Sequence, residues 1–144
     1  MKVQTVLARK GMQVFTITPE KMIRQAVEVM VQRNVGALVV VDAAGAPIGI
    51  LTERDVIRGL TTDETVARRS VADLMTHDLI TGSPQDDLHS LAHTMTERRF
   101  RHIPIVQDEA LVGIISIGDI VKAQRDQYRG EIDTLETQIM ADQS

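Results

Sequence analysis

Two stretches of the chain, GILTERD and GIISIGD, place a hydroxyl side chain three residues before an aspartate. The pairs are Thr52 with Asp55 and Ser116 with Asp119. Each hydroxyl follows an aliphatic run typical of a buried strand and precedes a helical pattern. A helix beginning there presents unpaired backbone N–H groups and the positive end of its dipole, which favour a phosphate. A carboxylate one turn further along can accept hydrogen bonds from the two hydroxyls of a ribose.

The same spacing also has a purely structural interpretation. In a capping box the hydroxyl accepts a hydrogen bond from a backbone N–H of the first turn, and the acid reaches back to the N-cap. Ser70 and Asp73, which lie between the two stretches, share this spacing and predict the start of a short helix. The spacing alone therefore leaves both roles open for the two pairs.

The two stretches belong to a longer internal repeat. With an offset of about 65 residues, Pro19 aligns with Pro84 and Met30 with Met95, and the loss of one loop residue brings the two motifs into register. Each copy predicts a short strand, an amphipathic helix, two strands joined by a turn, and a second helix. We therefore expect an α+β fold in which two β-α-β-β-α units pack as a pseudo-twofold pair, because neither copy alone can cover both faces of its sheet.

The repeat also predicts the boundaries of the domains. The first repeat with an N-terminal segment occupies residues 1–65, the second repeat residues 66–127, and an acidic helical tail residues 128–144. Thr18-Pro19 and Ser83-Pro84 are expected to begin the first helix of each copy, because threonine or serine suits an N-cap and proline suits the first turn.

A narrow apolar stripe runs along the predicted tail. It consists of Tyr128, Ile132, Leu135 and Ile139, which recur at the spacing of a coiled coil. Such a stripe packs either on its own domain or on a partner chain, and the sequence leaves both possibilities open.

The composition excludes several classes of function. The chain of 144 residues is 43% hydrophobic but only 2% aromatic, which is too little to stack single-stranded nucleic acid. A net charge of −4 argues against a broad basic surface for nucleic acid or anionic membranes. Without cysteine there is neither a disulfide nor a thiolate nucleophile. Since signal-peptide, membrane-span and catalytic motifs are also absent, we expect a cytoplasmic protein that is not an enzyme.

A phosphate site needs positive charge, which the two copies supply unequally. The second copy contains RRFRHIP, with Arg101 and His102 at the start of a strand, whereas the matching positions of the first copy hold glycine and alanine. We expect Arg101 and His102 to serve one phosphate site, with Arg54 contributing from the other copy. Lys10 is a further candidate, and Gly118 occupies the position of Arg54 in the second motif.

Two other groups of charged or metal-binding residues have simpler explanations. Arg98 and Arg99 lie at the end of a predicted helix, where cations compensate the helix dipole. His89 and His93 have a spacing found in zinc sites, but the repeat aligns them with polar positions on the solvent-facing side of a helix. We therefore expect no metal site.

Most of the chain, roughly residues 9–125, resembles the paired CBS domain, or Bateman module. The resemblance is carried by the two units that each end in the hydroxyl-x-x-Asp motif, by RNVGALVVVD and RRFRHIPIV at the middle strands, and by VADLMTHDLIT between the repeats. Members of this family bind adenosine nucleotides in clefts between their repeats and often form flat homodimers. The resemblance thus implies a stand-alone regulatory sensor that transmits nucleotide occupancy to an unknown partner protein.

The resemblance also implies roles for individual residues. Asp55 and Asp119 would hold ribose, and Thr52 and Ser116 would contact phosphate. The adenine would lie against apolar residues at the strand starts, each of which the hydrophobic core explains equally well: Ile17, Val35, Ala37, Ile80, Ile103 and Pro104.

The expected ligand follows from the same comparison. AMP is the first expectation, with ADP, ATP or NAD(H) as alternatives because a basic cluster can also hold a longer phosphate chain. A scaffold with empty clefts is the competing interpretation. Because the charged residues concentrate in the second copy, the sequence favours Asp119 over Asp55 as the acidic residue of an occupied site.

Overall fold

The helices and strands follow the order that the repeat predicts, except that a helix precedes the first copy and the first strand of the second copy is reduced to a single bridge. The computed structural model describes residues 1–11 and 13–143, so Ser144 of the predicted tail lies outside it. In chain order the elements are α1 (Val3–Lys10), β1 (Thr16–Ile17), α2 (Ile23–Arg33), β2 (Ala37–Val41), β3 (Pro47–Thr52), α3 (Glu53–Thr62), a 3-10 turn (Val66–Arg68), α4 (Val71–Leu74), α5 (Leu88–Arg98), β4 (His102–Gln107), β5 (Ala110–Ser116) and α6 (Ile117–Gln143).

The strands form two small sheets, one for each repeat. In the first, β1 pairs in parallel with β2, which pairs antiparallel with β3. In the second, β4 and β5 form an antiparallel pair, and the predicted first strand is reduced to one parallel bridge between Gly82 and Ile105. The bridge matches the pairing of Ile17 with Val40 in the first sheet. The structure thus confirms the α+β fold with two units.

The first helix of each repeat begins later than the sequence predicts. The N-caps are Met22 and Asp87 rather than Thr18 and Ser83. The Thr18 hydroxyl instead donates to Glu20 at 2.6 Å, and the Ser83 hydroxyl accepts from a backbone N–H two residues along. Both prolines therefore lie in a turn before the helix. Bridges made by Met22 and Asp87 to distant segments keep the backbone extended up to the N-cap.

The connector also differs from its predicted capping. Ser70 is the N-cap of α4, but its side chain makes no capping hydrogen bond. The carboxylate of Asp73 instead forms an ion pair with Arg69 at 3.5 Å. The predicted helix start is therefore present, whereas the predicted capping box is not.

Each repeat is completed by the segment that precedes the other repeat. Val3, Val6 and Leu7 of α1 are buried in the core of the second repeat, against residues of α5, β4 and β5. Val71 and Met75 of the connector are buried in the core of the first. The core around α1 therefore joins residues that the predicted boundaries assign to different domains, because apolar residues pack where the sheet is uncovered rather than where the chain is adjacent.

The helix α6 continues without a break into the predicted tail. Among its described side chains, the last buried ones are Ile120 and Ala123, and the 27-residue helix extends about 30 Å beyond them. The tail stripe is exposed: Tyr128, Ile132, Leu135 and Ile139 retain 69%, 47%, 58% and 57% of their accessible surface. Within the described residues, none of the helices combines the length and apolar character needed to cross a membrane.

Candidate functional site

Both hydroxyl–aspartate pairs form hydrogen-bonded turns where a strand meets a helix. At the start of α3, the Asp55 backbone N–H donates to Thr52 Oγ1 at 3.2 Å, and the Thr52 N–H donates to Asp55 Oδ2 at 2.9 Å. At the start of α6, Ser116 and Asp119 repeat these contacts at 3.2 and 2.8 Å. The two motifs are thus equivalent in backbone geometry, so any difference in function arises from their surroundings.

A cavity of about 410 Å³ lies at the first motif. Its volume falls in the range of about 300–1,000 Å³ typical of small-molecule sites. The predicted site residues in its wall come from both repeats: Thr52, Arg54, Asp55, Arg101 and His102. The remaining wall is formed by Gly36, Ile50, Glu53, Ile57, Arg58, Thr76, Arg99 and Phe100. The start of α3 in one repeat therefore faces the start of β4 in the other across a space fit for a ligand.

The charge of this cavity suits an anion. Four arginines line it, whereas only two carboxylates, those of Glu53 and Asp55, do so. Arg54 and Arg58 are one turn apart on α3, and Arg99 and Arg101 flank Phe100 between α5 and β4. An arginine guanidinium donates paired hydrogen bonds that match the geometry of a phosphate.

His102 brings an unsatisfied polar atom to the same wall. Its Nδ1 is buried and has no hydrogen-bond partner among the described residues. Burial lowers the pKa of His102 below its ordinary value, and the carboxylates of Asp119 and Glu53 only partly oppose this effect. The imidazole is therefore neutral at neutral pH. A buried ring nitrogen without a partner carries an energetic cost, which a bound polar group can remove.

The second motif is occupied by the protein itself. Lys10, the last residue of α1, donates from Nζ to Asp119 Oδ2 at 2.6 Å and to the Ile114 carbonyl oxygen at 2.9 Å. Burial raises the pKa of Asp119, but the hydrogen bonds from Lys10 and from the Ser116 backbone outweigh it and hold the pKa below its ordinary value. The carboxylate that a ribose would need is thus already engaged by a cation.

The repeat explains why only one motif carries this contact. The offset that aligns Ile17 with Gly82 also aligns Lys10 with Met75. Met75 packs beside Gly49, on the strand that leads to the first motif. Within the described residues, no cation forms an ion pair with Asp55 comparable to the one at Asp119.

The structure places the predicted basic side chains at the first motif rather than at the second. The sequence favours Asp119, because the basic residues lie in the same repeat. In the fold, the backbone of Arg101 and His102 adjoins the second motif: His102 pairs with Ser116, and the Arg101 carbonyl accepts from the N–H of Ile117. The His102 imidazole also lies within electrostatic range of Asp119 and Lys10. The side chains of Arg101 and His102 line the cavity at Asp55.

The apolar residues expected to hold adenine do not line this cavity. Ile103 is fully buried, and Ile17 and Ala37 each retain 8% of their surface, so all three are core residues. Of the other three, Pro104 is buried, and Ile80 and Val35 are partly buried. Val35 borders a separate shallow groove between α2 and α3. Gly118, in the first turn of α6, is exposed and lies outside the cavity wall.

Several wall residues are not among those that the sequence predicts for the site. The position of Arg99 suits compensation of the α5 dipole, but the residue adopts a left-handed backbone conformation and borders the cavity. Arg58 also borders the cavity, and its spacing of four from Arg54, which places both on one face of a helix, is the sequence signal that could have indicated it. Phe100 and Ile57 supply apolar surface at the wall, and no local pattern distinguishes them from ordinary surface residues.

Known proteins resemble the chain in both sequence and structure. The model of the CBS domain matches residues 6–62 and again residues 71–126. The chain is 38% identical over 127 residues to the CBS domain-containing protein CBSX3, mitochondrial, of Arabidopsis thaliana, which covers 85% of this chain and 62% of that protein. The chain thus spans less than two thirds of this relative's length.

Solved structures share the fold over most of the chain. The CBS-domain protein ATU1752 from Agrobacterium tumefaciens is 37% identical and superposes with a TM-score of 0.83, covering 86% of this chain and 99% of that one. CBSX2, solved in complex with AMP, shares the fold at 24% identity, with a TM-score of 0.71 and coverage of 88% and 98%.

These matches cover both repeats and the segments that position the two motifs. Since the family model matches twice, over more than half of the residues, the chain belongs to the CBS-domain family, as a tandem pair.

Proposed function

We propose that the chain is a sensor of adenine nucleotides that binds AMP in the cavity between its two repeats. The observation that carries this proposal is the cavity at Asp55, where a motif of the first repeat meets the arginines and His102 of the second. Arg101 and Arg54 bind the phosphate, helped by the start of α3. Asp55 accepts hydrogen bonds from the ribose hydroxyls. Phe100, Ile57 and Ile50 provide the apolar surface for the adenine.

The charge balance favours a nucleotide over other adenosine compounds. AMP is bound in the CBSX2 structure, while the CBS pair of MJ0100, 22% identical, was solved with 5′-methylthioadenosine and S-adenosyl-L-methionine. Methylthioadenosine is uncharged, and the sulfonium of S-adenosylmethionine is cationic. Four arginines against two carboxylates repel a cation and attract a phosphate. AMP, ADP, ATP and NAD all meet this requirement, and AMP is the smallest of them.

We infer that one nucleotide binds per chain. At the second motif the ammonium of Lys10 occupies the carboxylate of Asp119, so a ribose there would have to displace an ion pair 2.6 Å long. No comparable pair has to be broken at Asp55. The occupied site is therefore the one at the first motif, and Lys10 acts as a structural residue rather than a phosphate ligand.

The proposed output is a shift between arrangements of the two repeats. A nucleotide that touches Asp55 on one repeat and Arg101 on the other stabilises the arrangement in which both are within reach. A homodimer of the chain presents this change to a regulated partner protein. The cytoplasmic location stays a prediction, since the relative CBSX3 is named as mitochondrial.

Isothermal titration with AMP, ADP, ATP, NAD, adenosine and S-adenosylmethionine tests the proposal. We expect AMP to bind at one site per chain, and adenosine to bind at least tenfold more weakly because it lacks the phosphate. Arg101→Ala should weaken AMP binding by roughly tenfold, in keeping with the loss of a charge-assisted hydrogen bond. Arg98→Ala is the matched control, since Arg98 is exposed at the end of α5 and does not line the cavity.

Three results would contradict the proposal in different ways. Binding of S-adenosylmethionine in preference to AMP would show that the charge argument is wrong. Equal losses in the two arginine variants would place the phosphate outside the cavity. Absence of binding by every compound at millimolar concentration would favour a scaffold with empty clefts.

A further inference from the structure

The exposed part of α6, residues 124–142, carries an apolar stripe two heptads long that does not pack on the described residues of its own domain. Beyond Ala123, the residues of this segment are exposed, up to the last one whose side chain is described. Heptad positions a fall on Arg125, Ile132 and Ile139, and positions d on Tyr128, Leu135 and Asp142. The stripe is therefore apolar in its middle layers and charged at its two ends, with opposite signs.

We propose that this segment pairs antiparallel with the same segment of a second copy of the chain. In this arrangement Ile132 packs against the partner's Leu135, and Tyr128 against the partner's Ile139. The end layers then join Arg125 to the partner's Asp142. Each contact occurs twice, because a twofold axis relates the two helices.

The flanking charges select this direction over the parallel one. Arg129 and Glu136 directly follow Tyr128 and Leu135, the two apolar d positions. In the antiparallel register, Arg129 of one helix lies beside Glu136 of the other, and this pair occurs twice. A parallel pair would set Arg125 against its own copy and Glu131 beside the partner's Glu136. Like charges would then meet at the end layer and at the flank. Only the antiparallel register makes both the stripe and its edges complementary.

The geometry of the chain accommodates this pairing. The last layer, Arg125 with the partner's Asp142, lies two residues beyond Ala123, where α6 leaves the body of the protein. The two bodies therefore lie at opposite ends of the helix pair. Gly130 falls at position f, on the outer side, and no atom lies within 4 Å of the position of an added Cβ. Isolated two-heptad helices are marginal in water, but this one is nucleated by its buried first turns.

This contact differs from a flat homodimer, because it holds the two bodies at opposite ends of the helix pair, and it does not depend on nucleotide binding. The exposed contact of Arg125 with Asp126, at 3.6 Å in the same chain, contributes little and does not oppose the pairing.

Disulfide trapping tests the register directly, because the chain has no native cysteine. The double variant Tyr128→Cys/Ile139→Cys should form a covalent dimer on mild oxidation, because the cysteine at position 128 of one chain faces the cysteine at position 139 of the other. Either single variant should stay monomeric on a non-reducing gel. In the antiparallel pair, the cysteine of one chain and the same cysteine of the partner lie about 16 Å apart along the helix. That distance is beyond the reach of a disulfide. Thr137→Cys, at an outward position f, is the control for random collision.

The result that overturns the inference is equally direct. Rapid crosslinking of Tyr128→Cys alone would show a parallel pair. Crosslinking of the double variant no faster than that of Thr137→Cys would show that the helices do not pair. Thermal stabilisation by AMP is measured on the same double variant, so a failure of the helix pairing and a failure of nucleotide binding are told apart.

Charge reversal gives a second, reversible test by analytical ultracentrifugation. Arg129→Glu should raise the dissociation constant of the dimer roughly tenfold, because it replaces two opposite-charge pairs by two like-charge pairs. Adding Glu136→Arg should restore the affinity. A double variant as weak as the single one would overturn the assigned register.

Discussion

Substituting Asp55 and Asp119 separately by asparagine separates ligand binding from stability. Both carboxylates accept a backbone hydrogen bond in their capping turns, at 2.9 and 2.8 Å. The side-chain oxygen of asparagine can accept the same bond, so either substitution keeps the turn. The remaining partner of the carboxylate differs: it is the proposed nucleotide at Asp55, and the ammonium of Lys10 at Asp119.

The expected loss of binding in Asp55→Asn follows from the ribose contacts. Removing the charge that accepts them costs about 2–3 kcal/mol, which weakens AMP binding about 30- to 150-fold. At an AMP concentration of about 100 times the wild-type dissociation constant, the wild type gains about 2.7 kcal/mol of stability. At the same concentration the variant gains less than about 1 kcal/mol. With about 3 °C per kcal/mol for a domain of this size, the shift in Tm falls from about 8 °C to under about 3 °C.

The expected result for Asp119→Asn is the opposite. Its side chain and that of Lys10 are 21% and 29% exposed, so the ion pair is partly shielded from water. Its loss should cost about 1–2 kcal/mol and lower the Tm without ligand by about 3–6 °C. The shift on adding AMP should remain that of the wild type. Asp55→Asn, by contrast, should lower the ligand-free Tm by no more than about 1–2 °C.

The assay is differential scanning fluorimetry of the wild type and both variants, with and without AMP, supported by calorimetric titration. The reasoning is refuted if Asp119→Asn removes the AMP shift while Asp55→Asn keeps it. The nucleotide would then bind at the second motif after displacing Lys10. If both variants lose the shift equally, two coupled sites are present and the assignment of a single site is wrong.

Three further predictions concern pH and packing. Lys10→Met should destabilise the protein by about 1–2 kcal/mol at pH 7. The difference should begin to shrink as the pH falls below the ordinary aspartate pKa of 3.8 and should vanish below the lowered pKa of Asp119, because the stability that the lowered pKa provides is lost as the pH falls through it. Because the pKa of His102 is lowered in the folded protein, the imidazole binds a proton more tightly in the unfolded chain, and the wild type loses stability as the pH falls from 7 to 5. His102→Gln should lose less stability over this range in urea titrations. Gly49→Ala should cost about 2–3 kcal/mol, since its Cβ meets a backbone oxygen at 2.9 Å, whereas Gly113→Ala, which meets only the end of a leucine side chain, should cost about 1 kcal/mol in the same titrations.

The fold could be predicted from the sequence because most helices and strands occur in both copies of the repeat, so that each assignment can be checked against a second sequence. A strand such as β2 is ambiguous alone, but its copy β4 has the same position between a helix and a hairpin. The starts of α2 and α5 were placed too early, because a serine or threonine before proline suits a turn as well as a helix N-terminus. The bridges that keep the backbone extended to the N-cap join distant segments, and local patterns do not report them.

The site could be predicted only in part, for a related reason. Arg54, Arg101 and His102 are recognisable as one basic group, and the fold brings all three to one cavity wall. Which of the two motifs these basic residues face depends on how the two repeats pack together. The spacing of residues within one repeat does not predict that packing. The pairing of Lys10 with Asp119 joins residues 109 positions apart. An N-terminal lysine has no local feature that marks it as the partner of a particular carboxylate.

The divergence of the two copies would explain how a duplicated motif serves the single ligand that we propose. Where the second motif has Lys10 beside its strand, the first has the uncharged Met75. A carboxylate with a built-in ammonium partner gains little from ribose hydroxyls, because binding them requires the ion pair to be broken. Asp55 lacks that competitor and faces arginines that belong to the other repeat. Because the proposed ribose acceptor Asp55 and the proposed phosphate ligand Arg101 lie on different repeats, a nucleotide bound by both would respond to the relative position of the repeats. A site built entirely on one repeat would bind equally well in every arrangement and could not act as a sensor.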